Sequence, residues 1–246
     1  MHLLAMNPIL SISAILPAII LLVKIYKADR IEKEPIGLLL SLVIIGIFST
    51  SVAVALETLG KTILSMYFVE GSTVYNIIMY FGVVAFSEEG SKYVLLKSRT
   101  WKNRNFNCRY DGVVYATFVS LGFALWENIG YVASYGFSTA LVRAVTAVPG
   151  HACFGVFMGV WYGTAKMYEV RGEYEKSKAA RLKSLLLAVF MHGSYDFLTT
   201  LQYDSLGLIF LTFVVIMFLR AIKLVKKTSA QDEYIYGNND NFPFEN

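Results

Sequence analysis

The segment VYNIIMYFGVVAFSEEGSKYVLL, residues 74–96, decides how the rest of the chain is read. It is apolar at nearly every position and long enough to cross a hydrocarbon core of about 30 Å. It also carries Glu88, Glu89 and Lys92. An ionisable group near the centre of a membrane helix costs about 2.5–3.5 kcal/mol. Three of them in one span are tolerated only where they meet partners. Glu88 and Lys92 stand i, i+4 on one face, so the lysine can neutralise a carboxylate. Glu89 lies about 100° round and points to a neighbouring surface. The segment is therefore read as a transmembrane helix that turns a polar face into a bundle rather than into lipid.

The rest of the chain agrees. Of its 246 residues, 56% are hydrophobic and 16% charged, against about 25% charged in a soluble domain. Apolar runs at 8–26, 36–56, 74–96, 112–135, 140–165, 184–201 and 206–222 predict seven spans. None alternates as barrel strands do, so the expected class is an all-α polytopic bundle over residues 1–227. The first run is long and lacks a basic leader, so it reads as a retained span rather than a cleaved signal. The net charge of +4 does not indicate nucleic-acid binding, because basic residues sit at the edges of apolar runs. Lys24 to Lys33, Lys97 to Arg109, Lys166 to Lys183 and Arg220 to Lys227 hold nineteen of the 22 basic residues. The loops on the other side hold Lys61 and Arg143. By the positive-inside rule the N-terminus lies outside and the C-terminus in the cytoplasm of a multi-pass cell-membrane protein. Residues 228–246 are expected to form a polar, disordered cytoplasmic tail. Residues 57–73 suit either an interfacial amphipathic helix or an outer loop. Cys108 and Cys153 are poor disulfide partners, one in a basic loop and one in an apolar run.

Other spans carry further polar residues that need an explanation: Glu127, His151, and the pair His192 and Asp196. His192 and Asp196 are again i, i+4, and a carboxylate that fixes one ring nitrogen frees the other for chemistry or metal. His151 follows Pro149-Gly150, which frees backbone groups and is expected to kink its span. By helical rise all these groups reach the middle region of the bilayer, with Glu127 about 10 Å further out than Glu88. Buried ion networks and interhelical clamps are the structural alternatives to a working site. Gly155, Gly159 and Gly163 recur every fourth residue and make a flat face for close helix packing. No HExxH or GxSxG motif occurs.

Four motifs in order, Glu88-Glu89-Gly-Ser-Lys92, Phe123-Ala-Leu-Trp-Glu127-Asn128, His151 ahead of the spaced glycines, and His192-Gly-Ser-Tyr-Asp196, resemble the PrsW family of intramembrane proteases. That family is related to the CAAX-prenyl endopeptidases. The resemblance implies site-1 cleavage of a membrane-spanning anti-sigma factor, leading to sigma-factor release. It carries over Glu88, Glu89, Glu127, His151 and His192 as catalytic residues, to which Lys92 and Asp196 are added as supporting ones. Glu88 or Glu89 would act as general base on a water. Family classification favours a metal, with Zn²⁺ on His151, His192 and Glu127 as the expected set. A metal-free glutamate mechanism, in which the histidines only donate hydrogen bonds, stays open. The expected partners are a single-pass membrane substrate and lipid. Two other classes fit buried carboxylates: an ion-coupled transporter, which usually shows two related halves absent here, and a non-catalytic receptor or scaffold.

Overall fold

A helix with neighbours on every side must be small or apolar all round, and residues 111–124 meet that condition. In the computed structural model, which describes residues 8–200 and 204–236, they open α5 (Asp111–Tyr135), and every residue from Asp111 to Ala124 is buried. Around α5 stand α1 (Pro8–Ala28), α2 (Ile36–Tyr67), α4 (Phe86–Thr100) and α7 (Ala147–Val170). The short α3 (Thr73–Ile77) and a π-helical segment (Ile78–Ala85) lead into α4. Short α6 (Phe137–Val145) precedes α7, and α8 (Tyr174–Thr199) and α9 (Asp204–Ala230) complete the bundle. The described residues are all-α but for one isolated bridge between Cys108 and Tyr234. Both cysteines are free and buried.

Five stretches are long and apolar enough to cross a membrane: Pro8–Ala28, Ile36–Tyr67, Asp111–Tyr135, Phe137–Val170 and Gly207–Ala230. The expected spans at 74–96 and 184–201 are helical too, within α3 to α4 and α8. They fall outside that group because they carry the polar residues. Outer helices α1 and α9 present Ile12, Leu16, Leu211 and Leu219 to the surroundings, as lipid-facing helices do.

The glycine face of α7 packs against α5. A Cβ on Gly159 would lie 2.5 Å from the Gly112 carbonyl oxygen and from Val113 Cα, and one on Gly155 2.8 Å from Thr117 Cα. Only glycine permits that approach of two backbones.

Several expectations change. Segment 57–73 is neither an outer loop nor a separate interfacial helix over most of its length, because α2 runs on to Tyr67. The 140–165 span is broken at Thr146. Pro149 therefore occupies the first turn of α7, where its missing N–H costs nothing, and does not kink a continuous helix. The tail is not free from residue 228: α9 continues to Ala230, and the Arg109 and Ile235 N–H groups donate to the Glu233 and Asn107 carbonyls at 3.1 and 2.7 Å. Residues 237–246 lie outside the described residues.

The basic segments meet at one end of the bundle. Lys166 Nζ donates to the Trp101 carbonyl at 2.8 Å, Asn107 donates to Glu32, and Arg171 pairs with Glu233 at 3.7 Å. These contacts bring three of the basic stretches, and the segment that follows the fourth, together at one end of the bundle.

Candidate active site

Lys92 is the hub of the polar cluster. It is 1% exposed, and its Nζ lies 2.7 Å from Glu89 Oε1, 3.1 Å from Glu88 Oε2 and 3.3 Å from His151 Nδ1. The ammonium also sits 3.8 Å above the centre of the Phe123 ring. Helical spacing accounts for the first two contacts, since residues three and four apart share a face. The third ties α4 to α7.

His192 extends the network to α8. Its Nδ1 is 2.9 Å from Glu89 Oε1 and 3.8 Å from Glu88 Oε2, and its Nε2 is 3.3 Å from Asp196 Oδ2. The ring is stacked on Phe154, 4.7 Å between centroids, and meets His151 edge to face at 5.4 Å. Gly193 makes this placement possible. A Cβ there would lie 2.5 Å from the Phe81 ring on the π-helical segment, so a larger residue would require that ring or α8 to shift. A π-helical turn inside a longer helix is a recurrent feature of functional sites.

Glu127 joins through His151. Its Oε2 lies 3.0 Å from His151 Nε2 and accepts from Arg143 Nη2 at 2.7 Å. Arg143 Nε also donates to Asn128 Oδ1 at 2.9 Å, and Asn128 donates to the Ala14 carbonyl at 2.7 Å. The offset of about 10 Å expected between Glu88 and Glu127 is thus spanned by the Lys92 ammonium and the His151 imidazole in series. Ser120 holds the His151 backbone by donating to its carbonyl at 2.6 Å.

All seven residues singled out in the sequence, Glu88, Glu89, Lys92, Glu127, His151, His192 and Asp196, belong to this network. Arg143, Asn128 and Glu57 are additions. Arg143 counts as an outer-loop charge by sequence, and the structure places it in α6. Glu57 lies one residue past the predicted end of span two. Glu57, Tyr80, Glu88, Glu127, Arg143, His151, His192 and Asp196 face a shared cavity of about 350 Å³. Glu89 does not line it and is fully buried. Two clefts beside α9, of about 400 and 440 Å³, carry no carboxylate or imidazole.

The sequence compares with known proteins in the same sense. A family model described as PrsW family intramembrane metalloprotease matches residues 34–222. The chain belongs to the PrsW family. It is accordingly a membrane-embedded, multi-pass peptidase. Similar proteins include Protease PrsW of Clostridioides difficile, 29% identical over 92% of this chain and 94% of that one. Protease PrsW of Oceanobacillus iheyensis is 33% identical over 88% and 94%, and that of Bacillus subtilis 33% identical over 76% and 81%. No solved structure matches.

A PrsW metalloprotease implies a metal, and the donor atoms suit one in kind. Ligand atoms of Glu88, Glu89 and His151 lie within 4.8 Å of one another, and Glu89 Oε2 is buried without a hydrogen-bond partner. The set expected from the sequence was instead His151, His192 and Glu127. The geometry differs because Glu89 and Asp196 engage both nitrogens of His192, while Glu127 is held by Arg143. Lys92 touches all three converging residues, so ammonium and metal are alternative counter-charges for one cluster of donors.

Proposed function

We propose that this PrsW-family chain performs site-1 cleavage of a single-pass anti-sigma factor, cutting near the non-cytoplasmic end of the substrate's span and so opening the route to sigma-factor release. The position of the polar cavity carries this proposal. Its walls come from the late parts of α2, α5 and α8 and from α6, all remote from the basic end of the bundle. With the basic end in the cytoplasm and the N-terminus outside, the cavity lies toward the outer half of the membrane.

Within the cavity Glu88 is the paired carboxylate that reaches open space. It takes a proton from an attacking water as general base. Glu89 stays behind it and holds Lys92 and His192 in place. His192, held between Glu89 and Asp196, and His151, held between Lys92 and Glu127, have both ring nitrogens engaged and fix the acidic groups around the cavity. The base role of Glu88 belongs to the metal-free form; with a metal, proposed to be Zn²⁺, Glu88, Glu89 and His151 would be its ligands in place of Lys92, and it would supply Lewis acidity toward the scissile carbonyl.

Two experiments test this assignment. The chain is co-expressed with epitope-tagged anti-sigma factors encoded nearby, as wild type and as Glu88→Ala/Glu89→Ala. Cleavage is expected only with wild type, and equal cleavage by both removes the assigned chemistry. Separately, purified protein is stripped with a chelator and its metal content measured. Activity is expected to vanish and to return with Zn²⁺. Full activity in a preparation shown to be metal-free would leave the reaction to the side chains alone.

A further inference from the structure

Among the described residues, five carboxylate oxygens at the basic end of the bundle are buried without a donor: both of Asp29, Oε1 of Glu34, Oδ1 of Asp111 and Oδ2 of Asp232. Asp29 and Glu34 are each 2% exposed and Asp111 is fully buried. Buried polar atoms ordinarily have partners, so a cluster of such exceptions calls for a cause.

The arrangement has a common pattern. Glu34, Asp111 and Asp232 each use one oxygen to hold the chain and leave the other free. Glu34 Oε2 accepts from the Tyr115 hydroxyl at 2.7 Å. Asp111 Oδ2 accepts from the Asn107 and Cys108 N–H groups at 3.0 and 2.6 Å. Asp232 Oδ1 accepts from the Tyr110 and Glu233 N–H groups at 2.8 and 3.0 Å. Through Tyr115, Cys108 and Tyr110 these bonds gather Glu34, Asp111 and Asp232 at the first turns of α5, where carboxylate oxygens without donors require protons or a cation.

Nearby positive groups do not fill that need. Lys33 donates to the backbone carbonyls of Tyr26 and Asp29, and Arg109 Nη2 donates to Thr164. Both attract the carboxylates only from a distance. Glu32 adds further negative charge.

We propose that Asp29, Glu34, Asp111 and Asp232 bind a hydrated divalent cation of the Mg²⁺ type, which fastens the C-terminal segment and the α1–α2 loop to the start of α5. The donors are all oxygens, which select hard cations over zinc. Burial pushes the neighbouring Cys108 thiol up, so it stays protonated and offers no soft ligand. Mg²⁺ commonly takes one or two carboxylates and keeps several of its waters. That suits carboxylates gathered at the start of α5 that each leave an oxygen without a donor. The site is separate from the Glu88 cluster, since Asp111 and Glu127 lie about 24 Å apart along α5.

Thermal unfolding of the purified full chain at fixed ionic strength tests the proposal. At pH 8, millimolar Mg²⁺ is expected to raise the midpoint by about 2–5 °C. The same rise is expected in His151→Ala, which disables the other donor cluster. It should disappear in Asp29→Asn and Glu34→Gln. No rise in wild type, or a rise that survives Glu34→Gln but is lost in His151→Ala, overturns the proposal. So does a Glu34→Gln variant that is stabilised while wild type ignores Mg²⁺, because protons then account for the cluster. Should the variants fail to fold, Mn²⁺ titration of wild type and His151→Ala followed by electron paramagnetic resonance still decides. One Mn²⁺ displaced by Mg²⁺ is expected in both, and none in either refutes the site.

Discussion

Glu88→Gln lowers peptide cleavage by about 10²–10⁴-fold while the protein remains folded. The substitution keeps the size of the side chain and one acceptor oxygen, but removes the group that can take a proton. Lys92 is not left alone, because its shorter contact, 2.7 Å, is to Glu89. Glu89→Ala behaves differently. Glu89 is fully buried and accepts from both Lys92 and His192. Removing one partner of a buried ion pair costs about 3–5 kcal/mol, because the other charge stays buried. Loss of Glu89 therefore shows first as lost folded protein, in the unfolding midpoint and in gel filtration. Cleavage assays on purified Glu88→Gln and Glu89→Ala, each beside an unfolding curve, separate the two roles. A Glu88→Gln enzyme with wild-type rates would remove Glu88 from the chemistry. A Glu89→Ala protein of wild-type stability would remove the structural role given to Glu89.

The contrast between these carboxylates shows what was legible in the sequence. Charges inside an apolar run are costly, so Glu88, Glu89 and Lys92 announce a buried cluster from composition alone. Helical periodicity also pairs His192 with Asp196 correctly. Periodicity within one helix says nothing about which residue of another helix it meets. His151 joining Lys92 to Glu127 depends on how α4, α5 and α7 are set against one another. Arg143 shows a second limit. It was read as a loop charge that fixes orientation, but the break at Thr146 turns the Arg143-bearing stretch into separate α6 and puts the guanidinium on Glu127. Glu57 was missed because an apolar run marks where a helix is greasy, not where it stops, and α2 continues for about three further turns. The C-terminal segment was misread for a related reason. Its polar composition suggested disorder, while backbone pairing with residues 107–109 and burial of Ile235 hold it in place.

Gly159→Leu is expected to remove most folded protein, and to abolish cleavage in whatever fraction still folds. Glycines every fourth residue on α7 were legible as a packing face, and the structure supplies the partner. The first side-chain atom at position 159 would meet the Gly112 carbonyl oxygen and Val113 Cα, each at 2.5 Å. Both belong to the α5 backbone, which cannot swing aside as a side chain can. Overpacking a close-packed interior typically costs about 1–3 kcal/mol and more where backbone must move, and a marginally stable domain has only about 5–15 kcal/mol in all. The second consequence concerns chemistry. α7 carries His151 two turns from Gly159, and His151 bridges Lys92 and Glu127. A displacement of about 1 Å at a catalytic group can cost about 10²-fold in rate, so prising α7 from α5 disables the site even where the fold survives. Gly130→Ala is the matched control. It lies on α5 with no atom within 4 Å of its added Cβ, and alanine favours a helix interior over glycine by about 0.5–1 kcal/mol. Expression level, gel-filtration profile and unfolding midpoint are compared for the two variants in the same detergent. If Gly159→Leu matched Gly130→Ala in all three, the close approach of α5 and α7 would not be what seats His151.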